Sequence, residues 1–230
     1  MADNGRVLTT LDEYHHFLME IDTWFRSIRV KYGARMHCSK GCILCCCGLF
    51  DVPLPDAFRV AAGYRQLSPS SRNGVLQRAR LIQSNLLQEV PGLIEPFSLD
   101  RITQDRIDRL TDLFDGVRCP FLTAEDECLI YEYRPSACIL EGIPMVDSRD
   151  GPFDDWCEFN FTGGINREVE KDLRLDYYEI EETIRRVSES LAAAMPSPYP
   201  IETTMFIPSV VVSFESFWRG LIKKPLQVER

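Results

Sequence analysis

The sequence predicts a mainly α protein, one helical domain interrupted by two irregular segments in which its cysteines collect. Three observations carry this reading. Apolar residues recur at steps of three and four over several long stretches, the mark of helices with one buried face. The stretches that break this rhythm are dense in proline, glycine and cysteine. Strand patterns do not alternate with helical ones, which argues against a parallel α/β sheet.

The first helix carries Leu11, Tyr14, Leu18, Ile21, Phe25 and Ile28 on one face, widened by Phe17 and Trp24. Thr10 followed by Glu13 reads as a capping box that starts it, and Gly33 as its stop. The loop that follows, with Gly41 and Gly48 for tight turns, holds the first cysteines. Pro55 suits the first turn of a short helix over 55–64. A longer helix over about 71–90 aligns Val75, Ala79, Ile82 and Leu86, and another spans about 100–114. Between 116 and 164, Pro120, Pro135, Pro144, Pro152 and scattered glycines predict mostly loop with short turns. A single long helix is expected over 166–195, on Val169, Leu173, Tyr177, Ile180, Ile184, Val187, Leu191 and Ala194. Glu168, Glu170 and Asp172 sit near its positive end, and Pro196, Pro198 and Pro200 lie beyond its last turn. The tail TTMFIPSVVVSFESFW allows a strand, from its β-branched residues, or a last helix capped by Ser209. The resulting organisation is an N-terminal helix (1–35), a cysteine-rich domain (36–160) and a C-terminal helical region (161–230) packing on the same core.

The chain has 230 residues, 45% hydrophobic and 27% charged, enough to bury a core without disulfide staples. No apolar run approaches the roughly 20 residues that span a bilayer. The first residues lack a basic start followed by an apolar stretch, so we expect no secretory signal and a cytoplasmic protein with reduced thiols. A net charge of −9 argues against nucleic acid and anionic membranes as partners. The acid is uneven, however. Between Asp22 and Asp51 there is none, while Arg26, Arg29, Lys31, Arg35 and Lys40 fall in that window. Either these cations form a solvated face, or they surround a group of thiolates, or they dock an acidic protein partner.

The nine cysteines form two groups. The first is Cys38-x3-Cys42-x2-Cys45-Cys46-Cys47 and the second Cys119-x8-Cys128-x9-Cys138-x18-Cys157. Short spacings let one loop turn several sulfurs around a soft metal ion or a cluster, and later cysteines complete the shell. A lone cysteine is usually a small buried hydrophobe, but nine in two groups are not. Adjacent residues of an extended chain point to opposite sides, so Cys45 and Cys46 suit different metals or opposite sides of a binuclear centre. Eight ligands divide into two fours, and Cys47 is the one left over. His37 is a weaker candidate ligand. His15 and His16 lie on the first helix with no expected chemical role, and Asp154, Asp155 and Glu158 flank Cys157 as surface charges.

The run CSKGCILCC, followed by CPFLTAEDECLIYEYRPSAC and a lone WC, resembles the YkgJ-like cysteine-cluster family, a CxxCxxCC domain described as zinc- or iron-chelating. The matching positions are Cys38, Cys42, Cys45, Cys46, Cys119, Cys128, Cys138 and Cys157. Pro120, Phe121 and Leu122, and Ile130, Tyr131, Arg134 and Pro135, match the stretches around them. Three residues, Ser39, Lys40 and Gly41, stand where the family has two; Ile139 follows Cys138 where a basic residue is expected; and Cys47 is extra. The resemblance implies metal binding through those eight cysteines, with zinc or an iron–sulfur cluster as the cofactor.

The Cys-x3-Cys-x2-Cys loop also matches the cluster loop of radical S-adenosylmethionine enzymes. Those enzymes place the loop after a strand with an aromatic before the third cysteine, whereas here a helix precedes it and Leu44 holds that position. Ligands from distant segments, Pro120 after Cys119 and the acid-free window favour a [4Fe-4S] cluster over zinc. The sequence-level reading is thus a metal-binding protein with redox or electron-transfer capacity. The alternatives are a cluster-dependent modification enzyme and a structural zinc interaction module.

Overall fold

The computed structural model describes residues 4–38, 41–149, 151–152, 156–173, 176–195 and 204–222. The expected mainly α fold is what it shows. In chain order the elements are α1 (Asn4–Tyr32), β1 (Asp51–Pro53), α2 (Leu54–Gln66), α3 (Pro69–Glu89), α4 (Gln104–Leu113), α5 (Ser136–Leu140), β2 (Val146–Asp147), β3 (Gly151–Pro152), α6 (Arg167–Asp172), α7 (Tyr177–Ala194), β4 (Thr204–Phe206), α8 (Ile207–Val212) and α9 (Arg219–Leu221). A π-helical turn, Phe214–Trp218, joins the last two helices.

α2 is the centre. Every residue from Leu54 to Tyr64 is buried, polar Asp56 and Arg59 included. The apolar cluster around it takes Val7 and Leu11 from α1, Phe58 from α2, Val75 from α3, Leu191 from α7 and Trp218 from the C-terminal turn. Phe58 meets Trp218 edge-on at 5.2 Å. β1 and β4 pair antiparallel with Val52 opposite Met205. Each of these short strands runs straight into a helix with proline in its first turn, Pro55 in α2 and Pro208 in α8. The ambiguous tail is therefore a strand and then a helix. Ser209 is not its cap but a buried donor to Gln83 Oε1 at 2.7 Å.

Two expectations on helix limits are corrected. α1 begins at Asn4, so Thr10 lies inside it, where its hydroxyl meets that of Ser190 at 3.2 Å instead of capping. The stretch 166–195 is two helices. Asp176 caps α7 by accepting from the Tyr178 N–H at 3.0 Å, and Asp172 at the end of α6 pairs with Lys31 and Tyr32 of α1. The unbroken apolar period misled because α6 and α7 both bury against the same long helix, Val169 and Leu173 near Phe25 and Ile28, Ile180 near Tyr14 and Leu18. The expected prolines at 196, 198 and 200 lie outside the described residues.

Candidate metal centre

The first cysteine loop is held by backbone pairing to the start of the second. Cys47 and Arg118 form an antiparallel bridge, flanked by Cys119 N–H donating to Cys46 C=O and Gly48 N–H to Val117 C=O, each at 2.8 Å. Cys46 is thus tied to Cys119 through the backbone, and Cys47 to Arg118. A 3-10 turn over Leu44–Cys46 precedes the bridge.

A second bridge, Leu122 to Cys128, makes a small hairpin that the sequence reading missed. Its turn has no glycine. Asp126 takes the left-handed conformation at φ 61, and the Thr123 hydroxyl accepts from the Glu125 and Glu127 N–H groups. Arg118 clamps the hairpin through Asp126 at 2.7 Å. Arg78 of α3 donates to the Pro120 carbonyl at 2.9 Å and secures the residue after Cys119.

Cys138 stands on α5, which a buried polar group anchors. Asp56 accepts from Tyr14 Oη at 2.7 Å and from the Ser136 N–H at 3.0 Å, together with the Ser136 hydroxyl. Arg59 donates to the carbonyls of Arg134 and Glu132 at 2.8 and 2.6 Å and meets His15 Nδ1 at 2.8 Å. His15 thus has a role the sequence did not disclose: it helps hold the segment leading to Cys138. Burial lifts the Asp56 carboxyl above its ordinary range and lowers the Arg59 guanidinium.

The result is a cavity of about 520 Å³ lined by seven of the eight expected ligands, Cys38, Cys42, Cys45, Cys46, Cys119, Cys128 and Cys138. Cys47 is not in its lining. Burial pushes the Cys119 thiol up to about 12 and raises those of Cys128 and Cys138. The sulfurs of Cys119, Cys128 and Cys45 add to the shift at Cys138, and those of Cys157, Cys42 and Cys45 to the shift that burial begins at Cys38. Cys45 therefore sits between two sets of thiols. Contact with Cys46 is the main cause of its own raised value.

Cys157, the eighth, lines a neighbouring cavity of about 930 Å³ with Gly142 and Trp156. Its link to Cys38 is Asn160, a buried residue the sequence reading passed over. The Asn160 side-chain amide donates to Cys38 Sγ at 3.0 Å and to Gly142 C=O at 2.7 Å, and its Oδ1 accepts from the His37 N–H at 2.8 Å. The Asn160 N–H donates to Cys157 C=O at 2.8 Å. His37 itself is exposed and turns its ring edge-on to Phe159.

The described residues of the basic window do not surround the thiols. Arg26 pairs with Asp22 at 2.7 Å, Lys31 with Asp172, and Arg35 lies over the Phe161 ring and donates to Gly164 C=O. Among the described residues of that window only Arg29 lines the cavity, joined by Arg134 from the second segment and by Asp126, Glu127, Glu132 and Glu141. A chain-local run of like charge dispersed because α1 points successive side chains to different faces. Lys40, Asp154 and Asp155 lie outside the described residues, and Glu158 is exposed.

The donor chemistry fits a thiophilic metal, since thiolates select zinc and iron–sulfur clusters. Among the described residues, no three His, Cys, Asp or Glu side chains stand together as a ready-made ion cage. Ligation at one point thus requires the sulfurs to draw inward. No family model, curated protein or solved structure matches the chain. No helix among the described residues is long and apolar enough to cross a membrane.

Proposed function

We propose that this chain is a metal-binding protein that chelates a [4Fe-4S] cluster or zinc through eight cysteines. The carrying observation is the gathering of seven expected ligands, from segments more than 70 residues apart, around one cavity. The grouping of the thiols supports a division into two four-thiolate sets. Cys38, Cys42 and Cys157 with Cys45 make one, and Cys119, Cys128 and Cys138 with Cys46 make the other. Cys46 goes to the second set because its backbone is paired with Cys119. Four thiolates satisfy a tetrahedral zinc or the four irons of a cubane. As a cluster the centre supplies one-electron redox chemistry; as zinc it ties the two irregular segments together.

The test is metal analysis and an absorption spectrum on chain purified without oxygen. A thiolate-bound metal, with broad visible absorption if the metal is a cluster, is the expected result. A metal-free chain whose nine cysteines all titrate as free thiols overturns the reading.

A further inference from the structure

We infer that Asn160 is a positioning residue of the cysteine centre, joining Cys38 and Cys157 into one half-site and stabilising Cys38 as a metal-bound thiolate. The inference rests on the metal-binding reading above and goes beyond it, since no ligand or motif argument selects an asparagine here.

Asn160 is 1% exposed, and its polar groups tie together three chain segments. One amide hydrogen goes to Gly142 C=O and the other to Cys38 Sγ, while Oδ1 holds the His37 N–H. Its main chain closes the turn after Cys157, with its N–H on Cys157 C=O and its C=O accepting from Trp156 Nε1 at 2.9 Å. The residue before Cys38 and the residue before Cys157 are therefore both bonded to Asn160. A side chain used only for packing would not need this set of partners in two other segments, His37–Cys38 and Gly142.

The bond to sulfur has a chemical consequence. A hydrogen bond to sulfur is stronger when the sulfur carries charge. It therefore favours the metal-bound thiolate over the neutral thiol and holds the Cys38 sulfur on the Cys157 side. Partners that orient a ligand in this way commonly carry about 10- to 100-fold in metal affinity.

The experiment loads the full chain with cadmium(II) and follows alkylation of each cysteine by mass spectrometry. Parent, Asn160→Asp and Asn160→Ala are compared. Asn160→Asp keeps the shape and the acceptor for the His37 N–H but removes both side-chain donors. Cys38 and Cys157 are expected to react about 10- to 100-fold faster in both variants. Cys119, Cys128 and Cys138 should stay protected, which also reports that the rest of the fold is intact. Unchanged protection of Cys38 and Cys157 in both variants overturns the role of Asn160 while leaving metal binding in place. Equal exposure of all eight cysteines overturns it too, since Asn160 would then act only through the fold. No protection of any cysteine in the parent overturns metal binding itself, and this inference with it.

Discussion

Gly142 lies so close to Cys157 that a β-carbon built on it would stand 2.8 Å from the Cys157 β-carbon. Its φ of +75 is also one that side-chain-bearing residues resist. The left-handed conformation alone costs about 1–2 kcal/mol for an ordinary residue. Gly142→Ala should therefore lower stability by at least about that much and displace Cys157. Denaturant unfolding and alkylation of Cys157 in metal-loaded protein measure the two effects. Unchanged Cys157 protection would remove Gly142 from the site.

Cys46 lines the cavity with Cys119, whereas its chain neighbour Cys47 does not. Cys47→Ser should keep near-normal metal content, whereas Cys46→Ser and Cys42→Ser should each lose a large part of it. Metal per chain, measured after desalting, decides the matter. If Cys47→Ser empties the site as fully as Cys42→Ser, the assignment of roles from the cavity lining is wrong.

Asp56 gives a pH dependence with a definite sign. Burial raises its folded value above the ordinary carboxylate range. At low pH the group is neutral in both states and its contribution is fully present. As pH rises through the raised folded value, the buried carboxyl must ionise while the unfolded chain has already done so, and the contribution is lost. The parent minus Asp56→Asn stability difference should thus shrink as pH rises from about 4. Asparagine offers one acceptor to the donors Asp56 now holds, so the variant should also be less stable by about 1–3 kcal/mol. Denaturant midpoints across that range test both, and a difference independent of pH would contradict the assignment.

Arg29 lines the cavity and Arg35 does not. In the cluster form, a nearby cation stabilises the more negative reduced state, with a reach of roughly 8–10 Å in physiological salt. Arg29→Gln should lower the reduction potential and Arg35→Gln should leave it nearly unchanged. Voltammetry of the two variants beside the parent compares them directly; equal shifts would mean that position relative to the thiols is irrelevant.

The helices were legible because their signal is local. Leu11, Tyr14, Leu18, Ile21, Phe25 and Ile28 repeat at helical spacing, and all are buried in α1. The cysteine groups were legible from spacing and type, and seven of the eight candidate ligands line one cavity while Cys157 lines its neighbour. What could not be read is a turn that lacks its usual residues and whatever depends on distant chain. The hairpin at Leu122 and Cys128 has no glycine turn, and Asp126 adopts a conformation that few residue types tolerate. Asp56 and Arg59 look like ordinary helix polar residues until their partners on 132–136 appear, and His15 does so until Arg59 is seen to meet it. Asn160 sits three residues after Cys157, but only the fold brings Cys38 to it. The basic window is the converse case: it is local in sequence, yet its described residues Arg26, Arg29, Lys31 and Arg35 have separate surroundings in space.

The central claim is that the two cysteine-rich segments close on metal through sulfur. X-ray absorption at the metal edge, on chain purified without oxygen, tests it most directly. A first shell of sulfur alone, about four per metal, is expected, as thiolate zinc and cluster sites have. A shell dominated by oxygen or nitrogen, or no metal in a chain with nine freely titrating thiols, would contradict it.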